Sequence, residues 1–256
     1  MGLTSLFLFT LLGGLAAGAY VFDTCFNRKR EGDRPWLMPV IVVVLFAVGL
    51  IAAATHIHSI PRAFEALFGG TVNFGSGMIW EVVISGVFLI LALVDMVLVL
   101  VKKASPFALR AVAAVVAVVS IVLMATAYIN VYGNAVWTNA PATIVSFIAG
   151  DLAAGLGLYA VVARSDFADK MLRNVAFVVA ALFAIGAALE IAAFAGAGES
   201  VIAQVIALVC PVAAAAVVAL SSKFKNNGVV SVVVCVLMIV GVAVSRYAFY
   251  AAGAIL

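Results

Sequence analysis

Both histidines of the chain, His56 and His58, fall in the segment 55–64, beside the hydroxyls of Thr55 and Ser59, the guanidinium of Arg62 and the ring of Phe64. An imidazole with an ordinary pKa near 6.5 takes up and returns protons at neutral pH, and a guanidinium keeps a neighbouring carboxylate ionised. Glu81 supplies such a carboxylate at the start of the next apolar run. The chemistry these residue types support is acid–base chemistry at one end of a helical membrane protein.

Other ionisable residues interrupt apolar runs, where charge is costly and marks function by default. Glu190 lies 17 residues beyond Arg173, about 25 Å along a helix, and Arg246 lies near the end of the last run. His56, His58, Arg62, Glu81, Glu190 and Arg246 are therefore expected at one depth, and a functional cluster outweighs mutual neutralisation. Ser59, His58, Glu190 and Arg246 are candidates for its outer layer. A competing role for Glu81 is to complement the dipole of its helix from the first turn. Asp95, seven residues before Lys102 on the same helix face, is expected in an ion pair near the opposite end. Asp151, in mid-span, fits either a structural or a functional role.

These groups need an apolar scaffold, and the composition supplies one. Of 256 residues, 67% are hydrophobic and 10% charged, and the mean hydropathy is +1.31, more apolar than a soluble domain buries. Strand-like alternation is absent, which excludes a barrel. The chain reads as all-α, a single polytopic membrane domain over 1–256 with eight spans, at 3–26, 35–56, 79–101, 106–132, 142–163, 171–195, 200–220 and 229–252. The uncharged stretch 111–150 exceeds one crossing and is divided at Gly133, Asn134, Asn139 and Pro141. No basic leader precedes the first run, so it is expected to stay as a helix. Its Gly13, Gly14 and Gly18 suit close helix packing.

Twelve of the fourteen Lys and Arg residues fall in the loops after spans one, three, five and seven, and the other loops hold only Arg62. The positive-inside rule then places both termini and the His56 segment outside, N-out/C-out. Trp80, Tyr132, Trp137, Tyr247 and Tyr250 are expected at that outer interface. Ser59 as an N-cap, Pro61 in a first turn and Gly69 with Gly70 as a stop signal predict a short interfacial helix between spans two and three. Phe64, Leu67 and Phe68 would form its buried face, with Arg62 and Glu65 paired. The net charge of +3 is spread over loops, so nucleic acid is not an expected partner; membrane lipid is.

Cys25, Cys210 and Cys235 fit no metal spacing and no disulfide framework, and three thiols are too few for an iron–sulfur cluster, which takes four. Histidines at i and i+2 point about 200° apart on a helix and cannot hold the two faces of one haem. No haem and no metal is expected in this chain, so electrons must be carried elsewhere.

The chain resembles the membrane-anchor subunit family of anaerobic dimethyl sulfoxide reductases. The resemblance rests on Phe9, Thr10, Leu11, Leu12, Gly13 and Gly14 with Ala17 and Gly18. It rests also on His56, Ile57, His58 and Ser59 with Arg62, Ala63 and Phe64, on Glu81, and on Arg246 with Phe249 and Tyr250. The family's His-Leu-Gly-Ser-Pro appears here as His56, Ile57, His58, Ser59 and Ile60, with Pro61 one place late. The resemblance implies eight helices in the inner (cytoplasmic) membrane and a role in anaerobic respiration. It implies menaquinol as the substrate oxidised, a four-cluster ferredoxin-like iron–sulfur subunit and a molybdopterin catalytic subunit as partners, and a quinol-site role for His56, Arg62, Phe64 and Glu81. His56 would then accept one hydroxyl proton, Glu81 the other or its relay, and Arg62 would keep Glu81 ionised. A proton-coupled transporter using Glu81, Asp151 and Glu190 is the alternative; such proteins show discontinuous helices matched in two halves, whereas Pro211 is the one deep proline and has no counterpart.

The asymmetry of basic residues predicts that a reporter fused after Leu256 behaves as exported. Reporter activity confined to the cytoplasm would reverse the orientation.

Overall fold

The computed structural model describes residues 2–27, 34–55, 69–70, 75–131, 133–224 and 227–253. Eight long apolar helices account for them: α1 (Gly2–Phe26), α2 (Leu37–Ala54), α3 (Gly77–Lys102), α4 (Phe107–Thr126), α5 (Ala140–Val162), α6 (Lys170–Gly196), α7 (Ile202–Ala219) and α8 (Asn227–Ala252). Each is long and apolar enough to cross a membrane, where only internally hydrogen-bonded helices satisfy the backbone. The expected interfacial helix at 59–68 lies outside the described residues.

The helices form two rings of four. In the first, α1 packs on α2 and α4, and α3 closes the ring against α2 and α4; in the second, α5 packs on α6 and α8, and α7 closes it. The rings meet where α1 touches α5 and α8, and where α4 touches α5. Accordingly α1 and α5 are the central helices, with 61% and 67% of their apolar windows buried against 28% for peripheral α3. Valine, isoleucine and leucine side chains on the outer faces, such as Val44, Ile51, Ile90 and Val115, remain exposed for lipid.

Small residues make the α1/α5 contact possible. A Cβ on Gly18 would strike the backbone carbonyl of Asp151, one on Gly155 would strike the backbone of Gly18, and one on Gly14 would strike the Asp151 carboxylate. Gly13 instead faces Met124 and Phe46. Because lipid offers no less apolar an environment than a neighbouring helix, such close contact is what holds membrane helices together.

Helix boundaries follow the sequence within two residues at most ends; α4 is the exception, stopping at Thr126 rather than near 132. Its continuation is diverted by Tyr128, which turns into an aromatic cluster, and by Asn134, whose side-chain oxygen accepts the N–H groups of Val136 and Trp137, both at 3.0 Å. Asn139 then caps α5 by accepting from Ala142 N–H at 3.2 Å, a standard way to satisfy a first-turn donor.

Arg110 is not a loop charge, as its sequence position suggested. It sits in the first turn of α4, fully buried, and pairs with Asp23 at 3.1 Å. It also donates to the carbonyls of Asp23 and Asn27, both at 2.9 Å, so one guanidinium braces the C-terminal end of α1 and the residue that follows it. Asp95 likewise accepts the Tyr20 hydroxyl across α1 and α3 at 3.0 Å.

Gly155→Ala should destabilise the protein by about 2 kcal/mol, because the added methyl must separate two helix backbones. Gly86→Ala, also within a helix but with open space around it, should be neutral or slightly stabilising. Thermal unfolding in detergent measures both; equal effects would show that the α1/α5 contact is not tight.

Candidate functional site

The end of the bundle where α1 begins and α2 ends carries most of the polar residues singled out in the sequence. Thr55 closes α2 and lies 2.9 Å from the Ser5 hydroxyl of α1. His56, His58, Ser59, Arg62 and Phe64 lie outside the described residues; Glu81, Glu190 and Arg246 lie within them.

Glu81 is the fifth residue of α3, past the first turn, so it is not a dipole-complementing cap. It is 6% exposed, and its Oε1 has no hydrogen-bond partner among the described residues. Its charge acts on two phenols, Tyr128 and Tyr250. The Tyr250 hydroxyl lies 2.8 Å from that of Tyr128 and 3.1 Å from Thr10 Oγ1. Thr10 donates backwards to the Leu6 carbonyl at 3.1 Å, so the single Tyr250 proton faces two acceptors, the Tyr128 oxygen and Thr10 Oγ1. Tyr128 lies beyond the end of α4, and burial, followed by Tyr250 and Glu81, holds its own proton on well above the usual tyrosine pKa. It is a neutral hydrogen-bonding group throughout the physiological range.

Aromatic packing fixes this pair. Tyr128 meets Trp137, Phe249 and Tyr250 edge-on, each at a centroid distance of 5.5 Å. Trp137 stacks on Phe249 and donates its indole N–H to the Phe249 carbonyl at 2.6 Å. Asn134 donates to the Ala252 carbonyl at 3.2 Å. The loop 127–139 thus covers the last turn of α8 and satisfies carbonyls that the helix end leaves open. Tyr250 is buried here and is not an interface ring; Trp80 and Tyr247 are exposed, as interface rings would be.

Arg246 and Glu190 belong to a second network behind this one. Arg246 pairs with Asp151 at 2.9 Å, donates to the Phe147 carbonyl at 3.1 Å, and lies over the Phe147 ring with Cζ 3.0 Å from its centroid. Glu190 accepts from the Ser245 hydroxyl at 2.7 Å, while the Ser146 hydroxyl donates to the Thr143 carbonyl at 3.3 Å. Arg246 acts electrostatically on both Glu190 and Tyr250. Glu190 thus meets Ser245, the residue before Arg246, and Tyr250 lies four residues beyond Arg246 in α8. Asp151, Tyr128, Tyr250 and Thr10 were not recognised as site neighbours from the sequence. A signal for Asp151 existed: a lone acid and a lone base in otherwise apolar spans need each other.

The three cysteines are free thiols, and among the described residues no group of His, Cys, Asp and Glu could hold a metal ion. What the arrangement provides is a buried carboxylate, two neutral phenols and a hydroxyl at one bundle end, backed by a fixed ion pair. Such a set can hold and hand on protons.

Replacing Arg246 by Met should cost about 3–5 kcal/mol, since it leaves Asp151 buried without its counter-charge. Adding Asp151→Asn should recover much of that loss without filling the space beside Gly14. Melting temperatures of the two variants in detergent test this, and a double variant no better than the single one would contradict a pairwise origin.

A search among curated proteins gives no match to this chain. The model of the family described as DMSO reductase anchor subunit (DmsC) matches residues 2–251, and the chain belongs to that family.

Proposed function

We propose that this membrane anchor of a dimethyl sulfoxide reductase-type complex oxidises menaquinol at the bundle end that holds Glu81, and passes the electrons to an iron–sulfur subunit and on to a molybdopterin catalytic subunit. The observation that carries the reading is Glu81: a buried carboxylate whose Oε1 has no partner among the described residues and whose charge is felt by the Tyr128–Tyr250 pair, at the end of the bundle where α2 finishes. A carboxylate is not kept in an apolar bundle without a partner unless something occupies its open side.

Menaquinol gives up two electrons and two protons. His56 is the base for one hydroxyl, in reach of neutral pH. Glu81 takes the proton of the other. Arg62 holds Glu81 ionised between turnovers, and Phe64 packs against the quinol ring. The electrons leave to the partner's cluster, which docks on the same face, taken as the outer face of the cytoplasmic membrane.

The transporter alternative gains no support from the helices. All eight spans are continuous, Pro211 included within α7, whereas transporters of that kind break helices at the binding site.

In the assembled complex, His56→Ala and Glu81→Gln should each lower menaquinol-driven activity by about two orders of magnitude or more, the range for losing a positioned acid–base group. Electrons supplied to the soluble subunits by reduced viologen should reach the acceptor at near the parental rate. His58→Ala should lose less. Full menaquinol activity in both the His56 and Glu81 variants would overturn the reading; loss with both donors would show a defect of assembly.

A further inference from the structure

A second site lies at the opposite end of the bundle. There α1, α2 and α5 part to leave a cleft of about 510 Å³, whose polar wall is formed by Asp23, Asn27, Arg34, Tyr159, Arg164 and Ser165. The charge of that wall is decided by what neutralises Asp23. Its carboxylate is paired with buried Arg110 at 3.1 Å, so it adds no net charge to the cleft. Arg34 and Arg164 are exposed and have no ion pair among the described residues. The cleft therefore presents two open guanidiniums, with the Tyr159 and Ser165 hydroxyls and the Asn27 amide as neutral hydrogen-bonding groups.

We propose that this cleft binds the phosphate headgroup of an anionic glycerophospholipid, held by Arg34 and Arg164. Two guanidiniums match the oxygens of a phosphodiester. The depth of the site favours a lipid over a soluble anion. It lies at the ends of membrane-spanning helices, its lower walls are Phe26, Leu37 and Val162, and half-exposed Trp36 stands beside Arg34 at the start of α2, as interfacial anchors do. The same end carries Lys102, Lys103, Lys170, Arg173 and Lys223, which raise the local attraction for anionic lipid.

Arg164 itself sits in an unusual place. It has φ 51°, and it ends α5 with its N–H bonded to the Val161 carbonyl at 3.2 Å and the Ser165 N–H bonded to the Ala160 carbonyl at 2.9 Å. That left-handed position is one where glycine is preferred because it has no Cβ. Lys103 closes α3 in the same conformation but does not line the cleft, so the conformation alone carries nothing. It does provide a clean test, because Arg164→Gly removes the guanidinium and relaxes the backbone together.

The test is lipid retention by the purified full-length chain. After delipidation, it is offered phosphatidylglycerol or phosphatidylcholine and the bound lipid is counted by native mass spectrometry. Phosphatidylglycerol should be retained at least about tenfold better, and Arg164→Gly and Arg34→Gln should each weaken its retention about fivefold, the contribution of one basic residue near a membrane surface. Lys103→Gly, which makes the same backbone change away from the cleft, should leave retention unchanged. Melting temperatures no lower than that of the parental chain certify folding. Equal retention of the two lipids, unaltered retention in the arginine variants, or an equal loss in Lys103→Gly would overturn the proposal. Release of the lipid by millimolar inorganic phosphate would also overturn it, assigning the cleft to soluble anions instead.

Discussion

The ion pair of Arg246 with Asp151 is the constraint on which the site end of this protein depends. Two opposite charges within apolar helices are far better tolerated when they meet in good geometry than when either is buried alone. Here the guanidinium reaches Asp151 at 2.9 Å, the Phe147 carbonyl at 3.1 Å and the Phe147 ring. Asp151 in turn is pressed against α1, where glycine at 14 and 18 leaves room for its side chain and its carbonyl. One pair thereby fixes α8 to α5 within one ring of helices and sets how closely that ring approaches the other.

The consequences run along α8. Ser245 precedes Arg246 and meets Glu190 of α6. Tyr250 lies four residues beyond, on the same face, and is placed between Thr10 of α1 and Tyr128 after α4. Residues from both rings thus converge on one hydroxyl. Several buried polar atoms nearby have no partner among the described residues, including Glu81 Oε1, Glu190 Oε1 and both amide atoms of Gln204. Satisfied networks rigidify a core, whereas unsatisfied ones mark where water or a ligand belongs. The ion pair is held through one guanidinium nitrogen, with Asp151 Oδ2 and Arg246 Nη1 unpartnered among the described residues, and Glu81 is of the second kind.

The eight spans were legible because apolar runs of membrane length, separated by charged or glycine-containing loops, have few other readings. The end of α4 was not, because nothing polar interrupts the sequence at Thr126; that end is set by the docking of Tyr128 and by the Asn134 turn, both tertiary. Glu81 and Arg246 were visible as charges out of place, but their partners were not, since a sequence does not say which helices touch. Asp151 remained ambiguous until α8 was seen beside α5. Tyr250 looked like an interface ring, and Arg110 like a loop charge, because distance from the end of an apolar run does not report burial. The pairing of Arg110 with Asp23 leaves Arg34 and Arg164 as the basic residues that line the cleft at the opposite end, and only the assembled bundle shows that division.

The two ends of the bundle thus carry different polar sites, and the central reading is that menaquinol enters at the end bearing Glu81. The most direct measurement is photoaffinity labelling of the assembled complex with an azido-menaquinone, followed by peptide mapping. Label should fall on peptides that contain Glu81 or the segment 55–64, and excess menaquinone should suppress it. Label concentrated instead on peptides around Arg34 and Arg164, with none near Glu81, would contradict that placement.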